Sequence, residues 1–415
     1  MPDRHLPVRP NLEQLKHQAK DLLRAVRSGE EAAIAVLQRN HPGRISAGQA
    51  KLADAQLALA RSYGLASWPR LVLACQMTDA IWRNDAGTVR ELVLKYPELL
   101  HENARGMESN WGPPMSYAAN IGRDEIIAML RQMGATDLQH AFDRACLQGK
   151  LQTAKLLYEM GARPARGSVM GPCETLCDTG LAFLLEHGAE LSDVSGNRMA
   201  PVAMVLQTYS RNPEGKHRCL ELMAEQGISL PGTAPMAVHR GRIDLLEEHL
   251  RRDAGLLSRA FSHEEIYPPE LGCHSDHSLA LCGTPLAGGT LLHLCVDYDE
   301  MAIATWLLEK GADVHAKVAV DAEGFGGHTA LFGCVVSQPF RVGLRKDDSF
   351  ARLLLDHGAD PNARASLRKR LRFVADESMR EYRDVTPLGW GERFHDQDWV
   401  NKAAMRLIAE RGGRI

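Results

Sequence analysis

A chain of 415 residues, 45% hydrophobic and 24% charged, has the make-up of a folded soluble protein and the length of two or three domains or one long repeat array. Its 49 Lys and Arg against 52 Asp and Glu exclude the global basic excess of a nucleic-acid or membrane-surface binder. No run approaches the roughly 18 apolar residues of a membrane-spanning helix, Met1–Pro10 lacks an apolar signal core, and nine cysteines, an odd number scattered through helical segments, fit reduced thiols in the cytoplasm better than a disulfide framework.

Helical signals begin at Asn11, with Gln14 three residues later as a capping box. Leu12, Leu15, Ala19, Leu22 and Val26 then share one helical face. Ser46 with Gln49 predicts the start of a second helix carrying Leu52, Ala55 and Leu59 and closed by Gly64, and Ser67-Trp-Pro starts a third. Residues 1–73 are therefore expected to form a small helical module, either a cap on the rest of the chain or a separate docking element.

From there a pattern recurs: a small turn, a short helix, a second helix with paired leucines, then Gly-Ala. A degenerate copy spans roughly Thr78 to Leu100. Further copies close at Gly134-Ala135, at Gly161-Ala162 and at Gly188-Ala189, and others lead to Cys219-Leu-Glu-Leu-Met with Gly227 and to Leu245-Leu-Glu-Glu-His-Leu. The clearest runs Gly289-Thr-Leu-Leu-His-Leu-Cys-Val to Met301-Ala-Ile-Ala-Thr-Trp-Leu-Leu-Glu-Lys-Gly-Ala-Asp-Val. Another begins Gly327-His-Thr-Ala-Leu and closes Phe350-Ala-Arg-Leu-Leu-Leu-Asp-His-Gly-Ala-Asp, and a last begins Val385-Thr-Pro-Leu and ends Met405-Arg-Leu-Ile-Ala-Glu-Arg-Gly. That makes nine candidate copies.

These copies resemble the ankyrin repeat, whose period is about 33 residues and whose first helix opens on a Thr-Pro-Leu-His type turn. The resemblance implies an all-α fold, an ankyrin-repeat solenoid, in which helix pairs too small to bury their own apolar faces stack on their neighbours. The N-terminal module resembles one found before bacterial ankyrin arrays. The class implies recognition of a protein partner through loops and concave helices, with no cofactor. His293 and His328 fall where such repeats carry a turn histidine, and are expected to be structural.

Spacing divides the array. Gly134, Gly161 and Gly188 succeed one another at 27 residues, which removes most of the β-hairpin finger of a full repeat; Gly311 to Gly358 is 47 and Gly358 to Gly412 is 54. Residues 74–258 thus read as degenerate, shortened repeats and 259–415 as repeats with long inserted loops. The inserts are Ser258–Leu286, Lys317–Gly327, Ser337–Asp348 and Arg364–Asp384. In an ankyrin fold the first, second and fourth would project along one edge and could meet; the third would emerge on the opposite edge.

Loops beyond what stacking requires are where binding residues concentrate. The first insert holds Cys273-His274-Ser-Asp276-His277, with Cys282 beyond. These are zinc-ligand types, but adjacent Cys and His cannot readily share one tetrahedral ion, so no metal is expected. The fourth carries Arg364, Arg368, Lys369, Arg370 and Arg372 before Asp376, Glu377 and Glu381. Solvated internal ion pairs are one reading of it, and a site for an acidic partner or phosphate is the other. Arg368, Arg370 and Arg372 are the candidates there. The last repeat packs Trp390, Arg393, Phe394, His395, Asp396, Asp398 and Trp399 into ten residues. One tryptophan is expected in the core; Trp390, Arg393, His395 and Asp396 join His274, Asp276 and His277 as candidate partner contacts. The alternative is an enzyme pocket built from these inserts and the last repeat, although the chain has no glycine-rich phosphate loop, nucleophile elbow or His-Glu-x-x-His motif.

Overall fold

The computed structural model describes residues 6–106, 109–275, 281–372, 374 and 376–415. It is mostly helical, 56% helix against 4% strand, and divides into two compact units, Met1–Pro164 and Ala165–Ile415.

The first unit opens with helices Leu12–Arg27, Glu31–Asn40 and Leu52–Ser62, which pack on one another. Asn11 caps the first, its side chain accepting the Gln14 amide at 3.1 Å. Ser46 acts differently from expectation. Its hydroxyl meets the Gln49 side chain at 2.9 Å over a single turn of 3-10 helix, Ala47–Gln49, and the α-helix begins only at Leu52, where the Asp54 carboxylate accepts the Lys51 amide at 2.8 Å. Leu15, Ala19, Leu59 and Leu71 share one buried cluster.

Leu71 belongs to the helix Trp68–Trp82, begun by the Ser67 hydroxyl accepting the Arg70 amide at 3.4 Å. This helix runs straight through the boundary drawn at residue 73. Thr78, expected near the start of a repeat, lies buried inside it and turns its hydroxyl onto the Ala74 carbonyl at 2.8 Å. The helix pairs with Ala86–Lys95. Two more pairs come after it, Pro114–Ile121 with Asp124–Gln132 and Leu138–Leu147 with Leu151–Glu159. Asp137 binds one pair to the next: its carboxylate accepts the Ser116 amide at 2.9 Å and the Ser116 hydroxyl at 2.5 Å, satisfying donors that a helix start leaves open.

The second unit holds six helix pairs among its described residues. Three are Met170–Thr175 with Asp178–Glu186, Ala200–Gln207 with Pro213–Glu225, and Ala234–His239 with Ile243–Arg252. The others are Leu291–Tyr298 with Met301–Glu309, Ala330–Val335 with Ser349–Asp356, and Pro387–Arg393 with Lys402–Glu410. Ile303, Ala304 and Leu307 are fully buried at helical spacing. Gly311, at φ +93°, ends that helix: its amide donates to Leu308 O and the Ala312 amide to Leu307 O, a conformation any side chain would strain.

The fourth insert, expected as a loop, is a β-hairpin. Strand β1, Ala365–Lys369, pairs antiparallel with β2, Arg380–Val385, with Leu367 opposite Tyr382 and Lys369 opposite Arg380. Ala365, Leu367 and Lys369 are buried while Ser366 and Arg368 are half-exposed, the alternation of a strand with one covered face.

Candidate functional site

Short backbone pairings bring three of the inserts together. Phe261 N–H donates to Gly289 O at 2.9 Å and Gly288 N–H to Phe261 O at 2.7 Å. Ala319 N–H then reaches Gly288 O, Val318 N–H donates to His328 O, and Gly326 N–H donates to Ser366 O at 2.7 Å. Gly326 also permits close packing on Ala319. It sits at φ +126°, and a Cβ there would lie 2.2 Å from Ala319 O. The first, second and fourth inserts thereby line one cleft of about 610 Å³, within the size range of ligand pockets.

The cleft's walls are apolar, from Pro285, Leu286, Val318, Phe325 and Leu367, and its lining also holds His263, Tyr267, Cys282, His328 and the cations Arg368, Lys369 and Arg370 with Asp321. Lys369 is buried, its Nζ 3.6 Å from Cys282 Sγ. Burial pushes the Cys282 thiol up, with Lys369 opposing, and pushes the Tyr267 hydroxyl well above its ordinary range. The His328 ring is held neutral by burial, its pKa lowered to about 4, and Nε2 donates to Pro285 O at 2.9 Å. His293 is buried likewise, its pKa lowered to about 3, with Nδ1 accepting the Thr290 amide at 3.2 Å. Both histidines thus hold turns together.

Beneath Tyr267 lies a polar network that the sequence reading missed. Tyr298 OH stands 2.8 Å from Tyr267 OH and donates to Leu206 O at 2.6 Å. The Arg211 guanidinium lies 4.4 Å from the Tyr298 ring centre and 2.6 Å from Asp297 Oδ2, and Lys216 Nζ lies 3.0 Å from Glu300 Oε1. The one available signal was Asp297-Tyr-Asp-Glu300, a polar run where one apolar helix ends and the next begins.

The expected contact residues fall into separate places. Arg368 lies at the cleft's edge, with Nη2 2.7 Å from Asp321 Oδ2 and Nη1 on Glu323 of the second insert. Arg370 Nε donates to Glu377 O at 2.8 Å, and Arg372 Nη1 meets the Glu377 carboxylate at 3.2 Å. All three are paired within the chain. His274 is exposed and held through its backbone, its amide donating to Gln207 Oε1 and its carbonyl accepting from His263 Nε2. Asp276 and His277 lie outside the described residues. His395 Nδ1 is 2.5 Å from Tyr382 OH, Asp396 caps the turn Gln397–Trp399, and Arg393 is exposed. His274, His395 and Asp396 are not among the described residues that line the cleft.

Trp390 is not exposed as a partner contact would be. It is fully buried, donates Nε1–H to Thr284 Oγ1 at 3.1 Å, and packs edge-on against Tyr382 at 4.8 Å and Phe394 at 4.9 Å. Trp399 is buried as well, so both tryptophans of this segment are core. Trp390→Phe removes one buried hydrogen bond and part of a packed ring and should lower stability by about 1–3 kcal/mol, measured as a fall in denaturant midpoint.

Among the described residues no three His, Cys, Asp or Glu side chains gather as a metal site would require, and no helix is long and apolar enough to cross a membrane. The third insert, with helix Gln338–Val342, keeps to other contacts: Gln338 Nε2 donates to Tyr209 O, Ser337 N–H to Trp399 O, and Arg345 pairs with Asp299.

Residues 287–318 match the Ankyrin repeat family, so an ankyrin repeat is present there. Its first residue, Ala287, and its last, Val318, both line the cleft. Among solved structures, the ankyrin repeat domain of human ASB11 is similar at 17% identity, over 73% of this chain and 99% of that one, with a TM-score of 0.25. Comparison with curated proteins gives no match.

Proposed function

We propose that the protein recognises a protein partner through its C-terminal inserts and the adjoining concave helices. Ankyrin repeats are generally protein–protein interaction modules, and the carrying observation is the cleft of about 610 Å³ that three inserts line around the two ends of the matched repeat. Its mix of apolar wall and a few charged groups suits a specific contact. All nine cysteines are free thiols, eight of them buried, which supports work in a reducing compartment such as the cytoplasm. The helices before residue 68 serve in this reading as a cap.

In this reading Arg368, Arg370 and Arg372 make a basic rim, the first two of them lining the cleft. Their pairs are partly exposed, and such pairs contribute about 0–1 kcal/mol each. Replacing all three with Ala should therefore shift the melting temperature by only a few degrees while weakening capture of the partner. A much lower melting temperature, or undiminished binding, would make the segment structural and overturn this placement.

A further inference from the structure

Within the Met1–Pro164 unit, residues 6–10 run in neither helix nor strand, yet three of their carbonyls in succession meet side-chain donors from the helix pairs downstream. Arg105 donates through Nη2 to Leu6 O and through Nε to Pro7 O at 3.2 Å, and Tyr117 OH donates to Val8 O at 2.6 Å. The donors are themselves held in place. Trp82 Nε1–H donates to Tyr117 OH at 2.5 Å, and the Arg105 guanidinium lies 5.6 Å from the Trp111 ring centre. Burial pushes the Tyr117 hydroxyl up to about 12, which keeps it protonated and donating.

Two side chains of the segment are gripped as well. Leu6 is buried in the apolar cluster that holds Leu15, Leu71 and Cys75. Arg9 Nη2 stands 2.9 Å from Asp79 Oδ1, a carboxylate shared with Arg83, and its guanidinium lies 5.7 Å from the Trp82 ring centre. Pro7 and Val8 between them are exposed. Fixed donors to successive carbonyls, with an apolar pocket and an acidic and aromatic clamp three residues apart, are the means by which surfaces bind peptides. A strap needed only to cover apolar surface could leave those carbonyls to water. The segment is also held from one side: among the described residues its N–H groups enter no main-chain hydrogen bond. Beside it a groove of about 540 Å³, lined by Arg9, Leu12, Cys75 and Gln76 among others, opens a way in.

We propose that this surface is a second partner site, which takes a non-helical Leu-x-x-Arg segment of a partner protein and has residues 6–10 as its resident occupant. It does not depend on the C-terminal cleft being a partner site. Tethering gives residues 6–10 an effective concentration on the order of millimolar, so an incoming segment competes with them for the same donors.

In the full chain, Leu6→Ser with Arg9→Glu removes the apolar anchor and sets a like charge against Asp79, which frees the surface. A labelled peptide copying Leu6–Asn11 should then bind, by fluorescence anisotropy, about tenfold or more tightly than it binds the parent. Tyr117→Phe added to that variant removes the donor to the third carbonyl and should weaken the peptide about fivefold. A peptide with Glu in place of its arginine should lose binding. Equal binding to parent and variant, or indifference to both Tyr117→Phe and the peptide's arginine, would overturn the proposal and leave residues 6–10 as a structural strap. Should the double variant not fold, the parent chain carries the test. A photoreactive form of the peptide at millimolar concentration should crosslink to helix Trp68–Trp82 or helix Pro114–Ile121, and its Glu form should not. Crosslinks elsewhere, none at all, or the same crosslinks from both peptides would overturn it.

Discussion

Asp297→Asn should lower the stability of the Ala165–Ile415 unit by about 3–5 kcal/mol, the cost of leaving one buried charge without its counterpart. Arg211 and Asp297 side chains are 1% and 5% exposed and meet at 2.6 Å. Burial works against the charge on Arg211, but Asp297 and the two tyrosines outweigh it and raise its pKa. The guanidinium also donates to the carbonyls of Asp297, Thr208, Ser210 and Leu281, all at 2.7–2.9 Å. Asparagine would keep the shape and the contact with Gly283 N–H, 3.2 Å from Oδ1, yet leave the cation uncompensated. Arg211→Met should cost a similar amount by stranding those carbonyls, and the double variant should cost clearly less than the two singles together. Urea midpoints for the four proteins measure this. A loss below about 1 kcal/mol in Asp297→Asn would mean that the pair adds nothing to stability.

Acid should unfold the same unit early, through histidines buried as neutral rings. His239, His293 and His328 are all buried, and burial lowers each pKa, to about 3 for His293 and about 4 for His328. In the unfolded chain each titrates near 6.5. Below that pH the unfolded state takes up protons that the folded state refuses. Stability is therefore whole above pH 6.5 and falls as pH drops, by about 1.4 kcal/mol per unit for each ring down to its folded pKa. His328→Gln removes one of these rings, so its stability should fall with pH about 1.4 kcal/mol per unit less steeply between roughly pH 4 and 6.5. An unchanged slope, from denaturation at several pH values, would show that His328 is protonated in the fold.

The helix pairs were legible because their signals are local. Apolar residues at helical spacing, closed by Gly311 or Gly358 at positive φ, need only a few neighbours to be read. The uneven spacing of those glycines is a local signal of the same kind. The β-hairpin was not legible, because Ala365-Ser-Leu-Arg-Lys buries a lysine in its alternation and so hides the apolar period. Ser46 and Gln49 have the spacing of a cap, yet Asp54 competes for the chain two residues after Leu52 and starts the helix there.

Side-chain roles depended on partners far along the chain. Arg368 finds Asp321 47 residues upstream, Trp390 finds Thr284 106 residues away, and Arg211 finds Asp297 86 residues on. Composition marked the Trp390–Trp399 run as unusual but carried no sign of which rings turn inward. A charged residue such as Lys216 or Arg211 reads as solvated until the carboxylate that permits its burial is in view.

The third insert bears on how residues 387–410 are held. Val336 bridges Val400, Ser337 N–H donates to Trp399 O, Asn401 N–H to Val335 O, and Asn401 Nδ2 to Asp347 O. These bonds stitch the connection inside the penultimate helix pair to the connection inside the last. A terminal repeat joined only by side-chain packing can fray while its neighbour stays intact. Here release of residues 387–410 would also undo main-chain bonds of the pair before it, so the two pairs open as one unit, and a chain cut short before the last pair would lose part of its predecessor's framework along with its own tail.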